Sequence, residues 1–503
     1  MRFFILNWEI FVLILYFITM LGIGIIFFFR SKSLTDKDYF LGGRSMGPWV
    51  TAMSAQASDM SAWLLMGLPG SILAFGLGQA WIGIGLALGT ALNWILIARR
   101  LRRFSQAADD AITLPQYLSN RFAAKSKSLQ VACAIVFLVC FTLYVASAFV
   151  AGTNVFTSLF DIEENMAMLI FALILIVYTF LGGYKAVCWT DFVQGLLMLV
   201  AVMAVPIIIV LTKELDPSAL AQTVIGKDGT SYAFVENLFS APASEIANGL
   251  AWGLGYFGMP HILVRFMSIK HPSMVKKSTV VATTWVVIAL CAVVVIAVMG
   301  RMLPVGEELL SDNNQSMIFV QFARDLFPPA VSGILLSAII AASMSTADSQ
   351  LLVASSSFTS DIYKPLIRKN ASDKETLWIG RAVVCVISVV AYFIASSKGD
   401  GAQAIMNLVE NAWAGFGSAF GSVVILSLFW RRFTYNGALA GVIAGAVTDI
   451  LWLIFLSGPT GVYELIPGFA VSMVAAVTVT LLDKKPSASV TDIFDSAVSS
   501  KCE

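Results

Sequence analysis

Charged residues are scarce in this sequence. Only 13% of its 503 residues are Asp, Glu, Lys or Arg, whereas soluble domains average about 25%. Hydrophobic residues make up 58%, and the mean hydropathy is +0.83. This composition excludes a soluble globular protein and indicates a polytopic membrane protein in a lipid bilayer. The formal net charge of +1 gives no reason to expect a nucleic-acid partner.

Residue types that serve catalysis or redox chemistry are also few. The only histidines are His261 and His271, and the chain has no HExxH or Walker motif. The six cysteines, at positions 133, 140, 188, 291, 385 and 502, form no CxxC pair and stand mostly in apolar runs. These absences disfavour an enzyme, an ATP-driven pump and a bound cofactor. We expect the cysteines and His261 to serve packing.

Long apolar runs dominate the chain instead. A helix needs about 20 apolar residues to cross a bilayer. On that basis the sequence predicts thirteen spans, at 7–29, 47–75, 79–98, 128–157, 165–183, 189–212, 246–268, 278–302, 331–357, 376–396, 403–429, 435–456 and 464–482. The first run lacks the basic segment and cleavage site of a signal peptide, so we expect a retained span.

The loops between these spans alternate in basic content. One set contains Arg44, the arginine-rich segment 99–103 and the pair Arg431 and Arg432. The positive-inside rule makes that set cytoplasmic, which predicts an external N-terminus and a cytoplasmic C-terminus. Asp109 and Asp110 fall in a cytoplasmic loop and are expected to be solvated. External segments 213–245 and 303–330 are long enough for surface structure, and the polar tail after Lys485 is expected to be mobile.

The second span has an unusual centre, TAMSAQASDMSAWLLMGLPG at 51–70. Serine competes for backbone hydrogen bonds and weakens a helix, and Asp59 is costly at membrane depth. Gly67 and Pro69 add helix-breaking residues at its far end. The pattern predicts a helix broken partway, whose freed carbonyls face a buried or wet cavity.

The seventh span repeats this chemistry as AWGLGYFGMPHILVRF. Interrupted spans in corresponding positions of two halves are typical of a transporter binding site. Trp252, Tyr256 and Tyr144 could line a pocket there, or they could lie in the interfacial aromatic belt. We find no Arg or Lys at mid-depth in these spans, which favours a neutral or zwitterionic solute over a strong anion.

The ninth span carries oxygen atoms along one helical face. Ala342, Ser345, Thr346 and Ser349 follow the spacing i, i+3, i+4 and i+7, and Asp348 joins the same stripe. Hard cations such as sodium prefer oxygen ligands. Small and hydroxyl residues also serve close helix packing, which is the alternative interpretation. The intramembrane acids in the second and ninth spans favour an ion site.

Six segments of the chain together resemble the sodium/solute symporter family, and within it the bacterial sodium/proline symporters. They are YFLGGRSMGPWVTAMSAQASDMSAWLLMGLPG, FLGGYKAVCWTDFVQG, WGLGYFGMPHILVRFM, LLSAIIAASMSTADSQLLV, NAWAGFGSAFGSVV and FTYNGALAGVIAGA. The resemblance covers about residues 35–480. It implies an all-α membrane protein with a LeuT-type core of two inverted five-helix repeats. The implied segments are an extra helix and loop (1–45), two repeats (46–215 and 216–432), two further helices (433–485) and a cytoplasmic tail (486–503).

The resemblance also implies roles for individual residues. The expected sodium ligands are the carbonyls of Ala57, Met60 and Ala342 and the hydroxyls of Ser345 and Thr346. The residues expected around a proline pocket are Ser61, Trp63, Tyr144, Trp252, Tyr256 and Pro260. Asp59 matches an acid that tunes sodium coupling, and Arg44 matches a cytoplasmic-side basic residue linked to coupling.

Asp348 departs from the proline symporters, which have an apolar or small residue at this position. Other branches of the family bind a second sodium with hydroxyls at this turn and an acid equivalent to Asp191. A second site could therefore use Asp191, Ser345, Asp348 and Ser349. The alternative is that Asp348 pairs with a cytoplasmic-side Lys or Arg.

The expected function is sodium-coupled uptake of L-proline across the bacterial cytoplasmic membrane by alternating access. Another small solute, such as a sugar, a vitamin or a short carboxylate, is an open alternative. A non-transporting solute sensor is less expected, because no signalling domain follows residue 485. An ion channel is also less expected, because broken helices beside an aromatic pocket indicate occlusion rather than an open pore.

Overall fold

The computed structural model describes residues 2–30, 35–160, 162–181, 183–397 and 402–499. Within these ranges the chain is almost entirely helical. One short hairpin pairs strand β1 (Val224–Ile225) antiparallel with strand β2 (Ser231–Tyr232). Cys502 lies outside the described residues, and the five described cysteines are free thiols.

The α-helices are numbered here in chain order. Those before the hairpin are α1 (Arg2–Arg30), α2 (Asp36–Leu41), α3 (Pro48–Asp59), α4 (Leu68–Phe75), α5 (Ala80–Leu92), α6 (Arg99–Ala107), α7 (Leu114–Arg121), α8 (Ser128–Phe160), α9 (Glu164–Leu181) and α10 (Tyr184–Thr212). Those after it are α11 (Ala243–Gly255), α12 (Pro260–Ser268), α13 (Val275–Arg301), α14 (Pro304–Ser311), α15 (Ile318–Leu326), α16 (Pro329–Ser357), α17 (Asp373–Ser396), α18 (Ala402–Phe416), α19 (Ser422–Phe429), α20 (Tyr435–Phe455), α21 (Ser457–Thr460), α22 (Leu465–Leu482) and α23 (Ala488–Ser499).

Shorter helical segments join several of these elements. The 3-10 segments are Gly42–Arg44, Leu77–Gln79, Pro217–Ala221, Leu238–Ser240, Pro272–Met274 and Gln315–Met317. The π-helical segments are Trp63–Gly67, Asn93–Ala98, Phe358–Ile367 and Gly417–Gly421. A π turn widens the helix locally and is frequent at functional sites.

Ten helical stretches among the described residues are long and apolar enough to cross a membrane. The predicted spans 47–75 and 246–268 are each divided into two helices, and span 165–183 corresponds to the shorter apolar stretch Glu164–Phe180. The multi-pass helical architecture is therefore as the sequence predicts. The count of thirteen spans stays a prediction.

The second span breaks where its composition predicts. Helix α3 has Pro48 at its first turn and ends at Asp59, where Met60 leaves the helical region with φ −83° and ψ 76°. The seventh span breaks between Gly255 and Pro260, which opens α12. Proline is favoured at a helix start because it has no N–H to leave unpaired. Both helix breaks, at Met60 and between Gly255 and Pro260, are surrounded by buried residues of the helix bundle.

The broken helices lie against an unbroken one. Helix α3 packs against α10, α12, α13 and α16, and α16 also packs against α1, α8 and α10. Asp59, Asp191 and Asp348 are fully buried within this group of helices. Intramembrane acids of this kind mark functional sites by default.

The two predicted external segments carry surface structure. Segment 213–245 contains the β-hairpin, and segment 303–330 contains α14 and α15. A backbone hydrogen bond of 2.9 Å from Lys227 to Ser311 joins the two. We call this end of the molecule the hairpin end, and the opposite end, which carries α6 with its four arginines, the basic end.

The expectation of a mobile tail is wrong for residues 488–499, which form α23. Val490, Phe494 and Ala497 are buried, and α23 packs against α6. Arg121 donates to the Val490 carbonyl at 3.1 Å, and its guanidinium lies 5.0 Å from the Phe494 ring centre. Three apolar residues at helical spacing give α23 a face that packs on the protein. The polar composition of the segment hides this face from a reading of composition alone.

Close backbone packing between α5 and α11 generates a stability prediction. A Cβ atom on Gly85 would lie 2.2 Å from the Gly249 carbonyl oxygen, whereas one on Gly22 would meet nothing within 4 Å. We expect Gly85→Ala to destabilise the protein by about 1–3 kcal/mol through overpacking. Thermal unfolding of the detergent-purified protein measures this. Gly22→Ala is the matched control, and equal unfolding temperatures for the two variants would contradict the packing account.

Candidate ion and substrate site

The break in α3 frees a carbonyl and turns it toward the hydroxyl face of α16. In a continuous helix the Ala57 carbonyl would accept from the N–H of Ser61. That N–H instead donates to the Asp59 carbonyl at 3.0 Å. The Ala57 carbonyl accepts from Ser345 Oγ at 2.8 Å and from Thr346 Oγ1 at 3.4 Å.

The other two predicted sodium ligands lie in the same region. Ser345 Oγ is also 3.2 Å from the Ala342 carbonyl, one turn earlier on α16. Met60 stands at the break itself and is fully buried. The structure thus brings Ala57, Ala342, Ser345 and Thr346 together through direct contacts and places Met60 three residues after Ala57. Every contact described here is made by oxygen, the ligand type that a hard cation prefers.

Asp59 joins the two broken spans. Its Oδ2 accepts from the Tyr256 hydroxyl at 2.5 Å, while Oδ1 has no hydrogen-bond partner in the described chain. Its carbonyl accepts from the Tyr144 hydroxyl at 3.3 Å and from the Trp63 indole N–H at 3.4 Å. Asp59 therefore links the break in α3 to α8 and to Tyr256, which directly follows α11.

The predicted substrate residues cluster around Asp59. Trp63, Tyr144, Trp252 and Tyr256 are each at most 2% exposed. The ring centres of Trp63 and Trp252 are 6.5 Å apart. Burial inside the bundle fits the pocket interpretation of Tyr144, Trp252 and Tyr256 better than the interfacial belt. Ser61 lies in the first break and Pro260 closes the second, and both are buried.

The sequence analysis did not predict two aromatic residues of this cluster, Trp413 and Tyr463. Trp413 of α18 donates its indole N–H to the Trp252 carbonyl at 2.8 Å, and its ring meets Tyr256 edge-on at 5.0 Å. Tyr463 stacks on Trp252 with ring centres 5.6 Å apart. Trp413 lies in a segment that carries the family resemblance, but no spacing signal assigns it to the pocket. Tyr463 has no sequence signal.

A buried arginine lies near the end of the seventh span, and the sequence interpretation gave it no role. Arg265 of α12 is 1% exposed. Its Nη2 lies 3.1 Å from Asp191 Oδ2 and donates to Ser349 Oγ at 2.5 Å. Ser54 Oγ donates to the same Asp191 oxygen at 2.6 Å. The break leaves α12 as a short helix with all nine residues buried, so a position near the end of the predicted span faces the interior.

This arginine engages part of the predicted second sodium site. Of its four residues, Asp191 and Ser349 bind Arg265, and Ser345 donates to Ala57. Asp348 is fully buried, and neither of its carboxyl oxygens has a hydrogen-bond partner in the described chain. The alternative pairing of Asp348 with Lys or Arg is therefore not observed among the described residues.

Arg44 ties three elements together at the basic end. Its guanidinium contacts Asp110 Oδ1 at 2.6 Å, the Ala111 carbonyl at 2.9 Å and the Met267 carbonyl at 2.5 Å. Lys37 also binds Asp110, so the expectation that Asp110 is only solvated is wrong. Partial burial raises the pKa of the Asp110 carboxyl, but the hydrogen bond from Lys37 and the charge of Arg44 outweigh it and lower that pKa overall. These contacts connect α2, the α6–α7 loop and α12 at the basic end.

His261 packs inside the bundle as the sequence predicts, but its hydrogen bonding is not satisfied, because neither Nδ1 nor Nε2 has a partner among the described residues. Its ring centre lies 6.0 Å from that of Phe141 and 6.3 Å from that of Tyr144, both in edge-on geometry. The side chain is fully buried. It supports the wall of the aromatic cluster.

Comparison with known sequences decides the family. The sequence profile of the sodium:solute symporter family matches residues 39–445. This chain belongs to the sodium:solute symporter family. Members of this family are transporters rather than enzymes, and the multi-pass helical architecture of the symporter agrees with a place in the bacterial cytoplasmic membrane.

Curated relatives match the symporter over nearly its whole length. It is 42% identical over 494 residues to a sodium/proline symporter of Haemophilus influenzae, with 96% of each chain covered. It is 43% identical over 488 residues to the high-affinity proline transporter PutP of Bacillus subtilis, with 95% of this chain and 98% of the relative covered. It is also 41% identical over 474 residues to the osmoregulated proline transporter OpuE of Bacillus subtilis, with 94% of each covered.

Solved structures show the same fold at lower identity. A sodium-coupled sialic acid symporter superposes with a TM-score of 0.76 and 20% identity, over 95% of this chain and 98% of that one. The nucleobase-cation symporter Mhp1 superposes with a TM-score of 0.53 and 13% identity, over 92% and 99%. These likenesses establish the LeuT-type transporter fold that the sequence predicts.

The Arg265–Asp191 pair generates the second prediction. Arg265→Gln would leave Asp191 buried without its positive partner, at a cost of roughly 3–5 kcal/mol. We expect a large loss of folded symporter in the membrane, measured as monodisperse protein after solubilisation. Adding Asp191→Asn removes the unpaired charge and should restore much of the yield.

The matched control is Arg431→Gln, because Arg431 pairs with Asp495 at the surface with more than half of each side chain exposed. Exposed pairs contribute little to stability, so this variant should behave like the parent. A normal yield for Arg265→Gln, or a double variant no better than the single one, would contradict the pairing account.

Proposed function

We propose that this symporter couples the inward movement of sodium to the uptake of L-proline. The observation that carries the proposal is the contact of Ser345 and Thr346 with the freed Ala57 carbonyl, beside the buried aromatic cluster around Asp59. Proline is proposed because curated relatives at 41–43% identity over nearly the full chain are named as proline transporters.

We propose Ala57, Met60, Ala342, Ser345 and Thr346 as the sodium ligands. The Ser345 and Thr346 hydroxyls point their hydrogens at the Ala57 carbonyl. A sodium ion between them would take lone pairs from all three oxygens, so both hydroxyl hydrogens would turn away. The ion would then hold α3 to α16 in place of these two hydrogen bonds.

The pocket next to this site suits a small zwitterion. Its walls are the indole and phenol rings of Trp63, Trp252, Tyr144 and Tyr256, which favour an apolar ring and an ammonium group. Arg265, a buried basic side chain of α12, is engaged by Asp191. A strongly anionic solute would therefore have to compete with Asp191 for the positive charge of Arg265.

We propose that Asp59 carries the coupling between ion and solute. Its backbone lies in the break that offers the Ala57 carbonyl, and its carboxylate holds Tyr256 of the pocket. Sodium that orders the break therefore orders the pocket wall. Binding free energies are reciprocal, so proline should raise sodium affinity by the same factor as sodium raises proline affinity.

Alternating access requires the basic end to open. We propose that this end is cytoplasmic, with the N-terminus external and the C-terminus internal, because α6 concentrates arginines there. Arg44 would have to release Asp110, Ala111 and Met267 for proline and sodium to leave. This gives Arg44 a gating role in coupling.

We propose one sodium per proline. Arg265 supplies a fixed positive charge to Asp191 and Ser349, two of the ligands that a second sodium would need. A membrane potential of 100 mV contributes about 2.3 kcal/mol per charge, and a tenfold sodium gradient adds about 1.4 kcal/mol. One ion then supports roughly 500-fold accumulation. A second ion at Asp348 would square this limit.

Uptake by proteoliposomes tests the function. We expect labelled proline to accumulate when an inward sodium gradient is imposed, and not with a proton gradient of equal size alone. Vesicles preloaded with unlabelled proline should transiently accumulate labelled proline by counterflow, which a channel or a sensor cannot produce. The reversal potential should report one charge per proline. Sodium-independent uptake, the absence of exchange, or transport of a different solute in place of proline would contradict the proposal.

The sodium ligands generate a further prediction. Ser345→Ala and Thr346→Ala should each raise the sodium concentration for half-maximal proline uptake by roughly ten- to hundredfold, since each removes a cation ligand worth about 1.5–3 kcal/mol. Uptake kinetics at varied sodium concentration provide the measurement.

The matched control is Ser343→Ala on the same helix, because its hydroxyl donates to the Ile339 carbonyl of α16 at 3.1 Å. We expect this variant to keep the parental sodium dependence. Unchanged sodium dependence in both Ser345→Ala and Thr346→Ala would remove these residues from the ion site.

A further inference from the structure

A cavity of about 480 Å³ opens at the hairpin end, beside α18 and the α20–α22 connection. Its wall contains the carboxylates of Glu410 and Glu464 and the carboxamides of Asn407 and Asn411. Leu408 contributes an apolar surface to the same wall. None of these residues belongs to the ion or solute site described above.

Glu464 has a buried oxygen that the described chain does not satisfy. Its side chain is only 2% exposed and lines this cavity. Its Oε1 has no hydrogen-bond partner among the described residues. A buried acceptor without a donor is costly, so a ligand that brings a donor or a positive charge to this oxygen gains the corresponding free energy.

A second, smaller cavity adjoins the first. It encloses about 170 Å³, shares Glu410 with the larger cavity, and is also lined by Trp252 and Glu245. Glu245 already accepts from Gln79 at 2.6 Å. Among the described residues that line the two cavities, none is Lys or Arg. Clefts lined by one sign of charge concentrate ligands of the opposite sign.

The shape and chemistry favour an organic cation over a metal ion. No group of three or more His, Cys, Asp or Glu in the described ranges is arranged to hold a metal ion. The cavity is much larger than one ion, and Leu408, Leu453 and Ala404 offer contacts to carbon atoms. An ammonium group supplies the N–H donors that a carboxylate binds most strongly.

We propose that this cavity is a second binding site for a small solute that carries an ammonium group. The ammonium binds Glu464 and Glu410, the carbon skeleton packs on Leu408 and Leu453, and the carboxamides bind any further polar group. Binding at this site does not require proline to be the transported solute.

The position of the site connects it to the central pocket. Tyr463 precedes Glu464, stacks on Trp252 at 5.6 Å, and donates its hydroxyl to the Glu410 carbonyl at 3.1 Å. Its backbone N–H donates to Asn248 of α11 at 3.0 Å. A ligand bound by the Glu410 and Glu464 carboxylates would therefore be held by the two residues next to Tyr463, which stacks on Trp252.

Equilibrium dialysis of the full-length protein in lipid nanodiscs tests the proposal. The probe is labelled pyrrolidine, and tetrahydrofuran is a neutral ring of similar size. We expect saturable binding of pyrrolidine, which needs no sodium, and none of tetrahydrofuran. Glu464→Gln and Glu410→Gln should each weaken pyrrolidine binding by roughly ten- to hundredfold, as expected for the loss of a charged hydrogen-bond partner.

Two further variants assign the binding to this cavity. Glu245→Gln changes a carboxylate that is already paired, and Tyr256→Phe perturbs the central pocket, so both should keep pyrrolidine binding. Tyr256→Phe also separates the two proposals, because it can reduce proline transport while pyrrolidine binding remains.

Several results would overturn the proposal. These are the absence of saturable pyrrolidine binding, equal binding of tetrahydrofuran, unchanged binding in both Gln variants, and loss of binding in Tyr256→Phe while it survives in Glu464→Gln. Size-exclusion chromatography shows whether each variant folds. If Glu464→Gln does not fold, pyrrolidine binding to Glu410→Gln decides whether the cavity is the binding site.

Discussion

The proposed ion site depends on one diverted hydrogen bond. The N–H of Ser61 donates to Asp59 rather than to Ala57, and this leaves the Ala57 carbonyl without its helical donor. Inside a membrane protein such a carbonyl must find another partner. Ser345 and Thr346 of α16 supply it. A weak helix in α3 and a hydroxyl-bearing helix opposite it are therefore a single structural unit.

The same break organises the surroundings of this unit. Asp59 ends α3 and holds Tyr256 of the other interrupted span, so the two breaks are joined by one side-chain contact. Trp413 then fixes the second break through the Trp252 carbonyl. On the opposite side of α3, Ser54 donates to Asp191, which Arg265 neutralises. Residues in and next to the α3 break thus contact both an aromatic cluster and a buried ion pair.

Local chemistry explains how much of this could be predicted from sequence. The break at Asp59 follows from serine-rich, Gly/Pro-terminated composition, and the hydroxyl face of α16 follows from helical spacing. The family resemblance supplied the fold and the proposed sodium ligands. The partner of Asp191 could not be found in this way, because Arg265 faces inward only once α12 is separated from α11. Tyr463 reaches Trp252 across more than two hundred residues of chain, and no local pattern encodes that contact. The amphipathic face of α23 was missed because its three apolar residues are spread over a polar segment.

The most direct test of the central claim is a pair of cryo-EM structures, one in sodium with proline and one in choline chloride. With sodium, we predict an ion density contacted by the Ala57 carbonyl and by Ser345 and Thr346. Both hydroxyls should then have lost their hydrogen bonds to that carbonyl, and the choline structure should lack the density. An ion located elsewhere, or a 2.8 Å hydrogen bond from Ser345 to Ala57 that persists with sodium and proline bound, would contradict the account.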